Sequence, residues 1–201
     1  MNSLRRARDD VRNYLNDKAY KIFNRDEIKI KEKDKNAELK IVKIHIDNNF
    51  HSDTLIMFDT NPKRFLKLMK LHKNCDFNFI IRHIDGKLFC FLIELKTTLY
   101  SDDLIDDDGV KGQIKSTFIY LYMLLRFLDL HPEFRAIIFY KNDKRSRTLP
   151  PTDIDPYIQK ETDLDNNCWI FKLPNNKVKS VKFNLIQSDN NQIFNLTDIV
   201  T

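Results

Sequence analysis

Glycine is almost missing from this sequence. Only Gly86, Gly109 and Gly112 occur in 201 residues. A G-x-G-x-x-G or G-x-x-x-x-G-K-S/T phosphate loop has nowhere to form, which argues against nucleotide-fuelled and dinucleotide redox chemistry. Cysteine is scarce too. Cys75, Cys90 and Cys168 are odd in number and contain no C-x-x-C pair, so neither a zinc knuckle nor a disulfide framework is indicated. The five histidines show no H-x-x-x-H or H-E-x-x-H spacing. No apolar stretch approaches the roughly 18–20 residues that a membrane span needs. The first residues, Met-Asn-Ser-Leu-Arg-Arg-Ala-Arg, lack the apolar core of a secretory leader. A cytoplasmic protein without membrane association is therefore expected.

What is present suits a buried core. Hydrophobic residues make up 42% and charged residues 31% of the chain, which argues against wholesale disorder. The length fits one domain, since domains usually run about 100–200 residues. The net charge of +5 is uneven: residues 1–75 hold 18 Lys and Arg against 11 Asp and Glu. A basic first third is compatible with docking a polyanion, and equally with solvated helical faces.

Periodicity divides the chain. Leu4, Ala7, Val11, Leu15, Ala19, Ile22 and Phe23 recur at helical spacing and predict a helix over 3–24. The charged run 25–37 reads as a loop or frayed strand. Residues 1–36 are accordingly expected to be a basic helical extension, and 37–201 a single globular unit. Strands are predicted at 38–47 and 54–58, then a helix at 62–72 opened by Pro62. Strands at 76–83 and 87–97 flank the hairpin signal Asp85-Gly86. Five aspartates between 102 and 108 predict a solvated loop, followed by a helix over about 110–129 and a buried strand at 134–140. This strand–helix–strand order predicts a parallel crossover. A helical turn near 153–160, strands 168–173 and 179–186 turning at Asn175-Asn176, and a strap or tail over the last fifteen residues complete the reading.

Chemistry concentrates in the hairpin. Its second strand reads Phe89-Cys90-Phe91-Leu92-Ile93-Glu94-Leu95-Lys96. Such an unbroken apolar run marks a strand covered on both faces. Charges ending it need to pair, bind an ion or do chemistry. Glu94 and Lys96 share one face because side chains alternate along a strand. Register decides whether Asp76 joins them. A two-residue turn at Asp85-Gly86 opposes Asp76 to Leu95. A three-residue loop, Ile84-Asp85-Gly86, opposes Asp76 to Glu94, and Gly86 suits the left-handed position that such a bulged loop requires. The bulged hairpin is the expectation. Two carboxylates on neighbouring strands then offer hard oxygen ligands to a divalent cation, and a lysine beside them offers positive charge to a phosphodiester transition state.

This pattern, Asp76, a hairpin and then Glu94-Leu95-Lys96, resembles the core of the PD-(D/E)XK nuclease superfamily, the restriction-endonuclease-like fold. Cys75 stands where the family's named proline would be. The resemblance implies an α/β domain with a mixed central β-sheet flanked by helices. It implies Mg²⁺ or Mn²⁺ held by Asp76, Glu94 and the Leu95 carbonyl, with Lys96 as the catalytic lysine. Some branches add a glutamine in the next helix, followed four residues on by tyrosine. Gln113 matches the first, while position 117 is Thr. In some members an acid from the first helix joins the site. Helix 62–72 has none, and Glu38 or Asp59 stands as a substitute.

The bland alternatives are a surface salt bridge between Glu94 and Lys96, an Asp76 that merely starts its strand, and core aromatics rather than a base-stacking platform. The functional expectation is a divalent-metal-dependent endonuclease acting on DNA, with Lys63, Arg64, Lys67, Lys70 and Lys73 gripping phosphates. A homodimer would suit cutting both strands of a duplex. Defence, mobile-element or repair work fits by family analogy. The alternatives are an inactive nuclease-fold module that binds nucleic acid or a partner protein, and an RNA-directed nuclease of the same fold.

Overall fold

The structure, a computed structural model, describes residues 20–23, 25–32, 34–58, 74–145, 162–163, 166–173 and 177–200. Within them the chain is mixed α/β and mostly strand. Eleven strands run in order: β1 (Tyr20–Phe23), β2 (Glu27–Lys31), β3 (Ile41–His45), β4 (Phe50–Phe58), β5 (Phe77–His83), β6 (Leu88–Leu99), β7 (Glu133–Asp143), β8 (Thr162–Asp163), β9 (Cys168–Lys172), β10 (Val178–Gln187) and β11 (Ile193–Asn195). Three helices are described: α1 (Ser101–Ile105), α2 (Val110–Phe127) and α3 (Leu196–Val200). Eight strands form one sheet in the order β1-β4-β5-β6-β7-β10-β9-β8, and β11-β3-β2 form a second. β6 and β7, joined through α2, pair in parallel; β7 and β10 also pair in parallel, while the β5–β6 hairpin is antiparallel.

β6 sits at the centre and its alternation defines the layers. Cys90 and Leu92 face one core, shared with Val110, Ile114, Phe118 and Leu121 of α2. Phe89, Phe91, Ile93 and Leu95 face a second core, shared with Ile28, Ile30, Val42 and Ile44 of the small sheet and with Leu196 and Ile199 of α3. One face of the large sheet is thus covered by helix and the other mainly by a second sheet. In β2 charged residues alternate with buried Ile28 and Ile30, and in β3 the less buried Ile41, Lys43 and His45 alternate with buried Val42 and Ile44, so each strand has one face that can be buried only against another layer.

Several local expectations change. Residues 20–23 are not the end of a helix but strand β1, which pairs with β4. The charged run holds a regular strand, β2, paired with β3. The boundary drawn between residues 36 and 37 falls in the connection between those two strands. The aspartate-rich stretch contains α1. The last fifteen residues supply β11, parallel to β3, and α3. Residues 1–19, helix 62–72, the turn at 153–160 and the Asn175-Asn176 turn lie outside the described residues. Among the described residues, no helix is long and apolar enough to cross a membrane.

Candidate active site

The hairpin adopts the bulged register. Arg82 pairs with Leu88 and Phe77 with Ile93. The loop closes through Gly86 N–H to the His83 carbonyl (2.9 Å) and His83 N–H to the Lys87 carbonyl (2.9 Å). Gly86 takes φ 91°, a left-handed conformation that glycine adopts without a Cβ clash. Extending the register by one pair sets Asp76 opposite Glu94. Since His83 and Lys87 form a hydrogen-bonded pair, alternation makes 76 and 94 a non-hydrogen-bonded pair, where opposed side chains come closest.

The two acids interlock beyond the end of β5. Asp76 Oδ2 accepts the Leu95 N–H at 2.8 Å, and Glu94 Oε2 accepts the Asp76 N–H at 3.2 Å. Glu94 is 3% exposed. Burial, then the charge of Asp76, drives its carboxyl well above the ordinary 4.5; Lys96 opposes the rise and Glu32, just past β2, adds to it. A buried carboxyl beside a second acid, with one amine nearby, is an environment short of positive charge. Leu95 turns its side chain into the opposite core. Its N–H points toward β5, and its carbonyl points the same way, as at every hydrogen-bonded position of an antiparallel pair.

Lys96 follows Glu94 on the same face. Its Nζ lies 3.6 Å from Asp103 Oδ1, with side chains 28% and 15% exposed. Asp103 also accepts the Tyr100 N–H at 3.0 Å. Of the aspartate cluster, Asp102, Asp106, Asp107 and Asp108 are solvent-exposed, as expected, while α1 replaces part of the expected loop; half-buried Asp103 holds Lys96, and Asp107 pairs with Lys115 (2.7 Å) and with the buried Lys111 (3.6 Å). Lys111 also donates to the Ile105 carbonyl at 3.0 Å. Backbone packs tightly at this corner. A Cβ on Gly112 would meet the Asp107 carbonyl oxygen at 1.6 Å, and one on Gly109 would meet Asp103 Cα at 2.7 Å.

α2 packs over the same face of the sheet as Glu94. Thr117 is fully buried. Its hydroxyl accepts the Cys75 N–H and donates to the Gln113 carbonyl, both at 3.0 Å. Gln113 lies one turn earlier on the same helical face. Its Oε1 is buried and has no hydrogen-bond partner among the described residues.

Asp76, Glu94, Leu95 and Lys96 thus come together, with α2 bracing Asp76 one residue away at Cys75. Glu38 contacts the two central strands instead: its N–H donates to Thr97 Oγ1 of β6 (2.8 Å) and its carboxylate pairs with Lys141 of β7 (3.0 Å). Asp59, Lys63, Arg64, Lys67, Lys70 and Lys73 are outside the described residues. Sequence reasoning did not single out Glu32, Asp103 or the bond from Thr117 to Cys75. A threonine among the apolar residues of the buried helical stripe was the available signal for the last. Among the described residues, no group of three or more His, Cys, Asp and Glu side chains is placed to hold a metal ion. No family model, curated protein or solved structure matches the chain.

Proposed function

We propose that this chain is a divalent-metal-dependent nuclease with a PD-(D/E)XK-like site. Its substrate is DNA in preference to RNA. The observation that carries the reading is the interlocked pair of acids: Asp76 on the Leu95 amide and Glu94 on the Asp76 amide, with Lys96 on the Glu94 face. Two carboxylates and the Leu95 carbonyl are the hard oxygen set that suits Mg²⁺ or Mn²⁺. The shortage of positive charge around buried Glu94 fits a cation rather than a structural ion pair.

A bound cation supplies Lewis acidity toward a phosphoryl oxygen and acidifies a water. The protein's own part is positional. Asp76 and Glu94 are held by backbone N–H bonds, so their lone pairs are presented without rotamer search. Lys96, anchored by Asp103, keeps positive charge beside the acids, where a phosphorane-like charge would develop. The basic segment 63–73 supplies phosphate contacts in this reading, and a homodimer would serve duplex cleavage.

The test is cleavage of single-stranded and duplex DNA and RNA with Mg²⁺ or Mn²⁺, comparing wild type with Asp76→Ala and Lys96→Ala. Loss of cutting in both variants and in chelator supports the mechanism. Equal cutting by all three proteins rejects it. One observation favours a second reading, an inactive module of the same fold that binds nucleic acid or a partner protein: Lys96 already has a carboxylate partner in Asp103. Metal-independent nucleic-acid binding without cleavage would favour that reading.

A further inference from the structure

The end of β5 is where pairing with β6 breaks, and the break has an identifiable cause. Hydrogen-bonded pairs alternate down the hairpin from His83–Lys87 through Phe77–Ile93, so the next pair in the ladder is Cys75–Leu95. In an unbroken ladder the Cys75 N–H would donate to the Leu95 carbonyl, and the Leu95 N–H to the Cys75 carbonyl. Neither bond is the one made. The Cys75 N–H goes to Thr117 Oγ1 at 3.0 Å, and the Leu95 N–H goes to the Asp76 carboxylate at 2.8 Å. Thr117 is itself fixed by donating to the Gln113 carbonyl at 3.0 Å in the preceding turn of α2. Its hydroxyl is fully buried, with no water to compete for it.

We propose that Thr117 is a positioning residue. By drawing the Cys75 amide onto α2 it opens the β5–β6 ladder, so that the Asp76 carboxylate enters beside Glu94 and the Leu95 carbonyl is released toward the same spot. This rests on the reading of Asp76, Glu94 and Leu95 as a cation site. The ladder itself is a structural statement that can be checked apart from that reading. The hydroxyl acts through Cys75 and Asp76 and touches neither substrate nor metal, so side-chain shape alone should not reproduce its effect. Valine keeps the branched volume and removes both hydrogen bonds. Serine keeps the hydroxyl and loses a methyl.

The experiment compares full-length wild type, Thr117→Val and Thr117→Ser by amide hydrogen exchange and by Mn²⁺ titration without substrate. In Thr117→Val, exchange at Cys75 should accelerate about two- to tenfold, the range of one net hydrogen bond. Mn²⁺ affinity should fall about ten- to a hundredfold, as for loss of a group that orients metal ligands. Thr117→Ser should restore most of both. Trp169 emission at each titration temperature verifies that the fold is intact, and if valine does not fold, Thr117→Ala takes its place. Unchanged exchange at Cys75 in the folded valine or alanine variant overturns the proposal. So does an equal loss of Mn²⁺ affinity in the serine and valine variants, which would mark a packing role. Wild type that binds no Mn²⁺ rejects the metal-site reading instead, and the Cys75 exchange result then decides the ladder statement by itself.

Discussion

Replacing Glu94 with glutamine separates the charge of this residue from its shape. The side chain is 3% exposed and faces Asp76 across a non-hydrogen-bonded pair, where opposed Cβ atoms stand about 4.5–5.5 Å apart. Two unit charges roughly 5 Å apart at an effective dielectric near 20 repel by about 3 kcal/mol. Lys96 offsets part of this. Glu94→Gln is therefore expected to stabilise the protein by about 1–3 kcal/mol at about pH 8 while abolishing cleavage, the trade expected where a site holds unfavourable charge for function. The pH dependence carries the sign. Burial and Asp76 raise the folded-state carboxyl above 4.5. In the window above that value the folded state keeps a proton that the unfolded chain has released, so wild-type stability falls as pH rises through it. Below about pH 4 both states hold the proton, and the difference between wild type and Glu94→Gln should shrink toward zero. Urea unfolding followed by the sole tryptophan, fully buried Trp169, measures this at both pH values. Saturating Mn²⁺ should stabilise wild type, by about 2.7 kcal/mol at a hundredfold excess over Kd, and leave the variant unmoved. A glutamine variant less stable than wild type at high pH, or a pH-independent difference, would refute the argument that like charge is concentrated here.

Other outcomes follow from the same contacts. Asp103→Asn should cost less than about 1 kcal/mol of stability, because the pair with Lys96 is partly solvated. It should nonetheless slow cleavage about tenfold through a loosely held amine; an unchanged rate would remove Asp103 from the site. Gly112→Ala should destabilise by about 3 kcal/mol or more, since its Cβ would lie 1.6 Å from the Asp107 carbonyl oxygen. Gly86→Ala has open space and only the left-handed φ to oppose it, so about 1–2 kcal/mol is expected; denaturant midpoints rank the two. Burial pushes the Cys75 thiol up to about 12 and Cys90 well above its ordinary value. A thiolate-selective reagent should therefore label half-buried Cys168 first, with Cys75 and Cys90 reacting only on unfolding. Peptide mapping of the labelled sites checks the order.

The sequence by itself determined what depends on neighbours along the chain. Asp85-Gly86 marked the hairpin and left two registers open, of which the structure takes the bulged one that opposes Asp76 to Glu94. The apolar run before Glu94 marked β6 as a central strand, and the period of Val110, Ile114, Phe118 and Leu121 marked α2. Alternation at Ile28 and Ile30 is also present, but within the charged run 25–37 it reads only as a loop or frayed strand, because a half-buried strand is recognisable only once there is a layer to bury it. The tertiary structure alone decided the rest. Tyr20–Phe23 has helical spacing in its surroundings and becomes a strand because β4 offers an edge. Asp103 meets Lys96, and Thr117 meets Cys75 across 42 residues. These side chains carry no mutual spacing along the chain. Asp103 meets Lys96 because α1 turns back directly after β6; Thr117 meets Cys75 because α2 packs against the hairpin, and burying that helix takes its polar groups out of water, where each must find a partner.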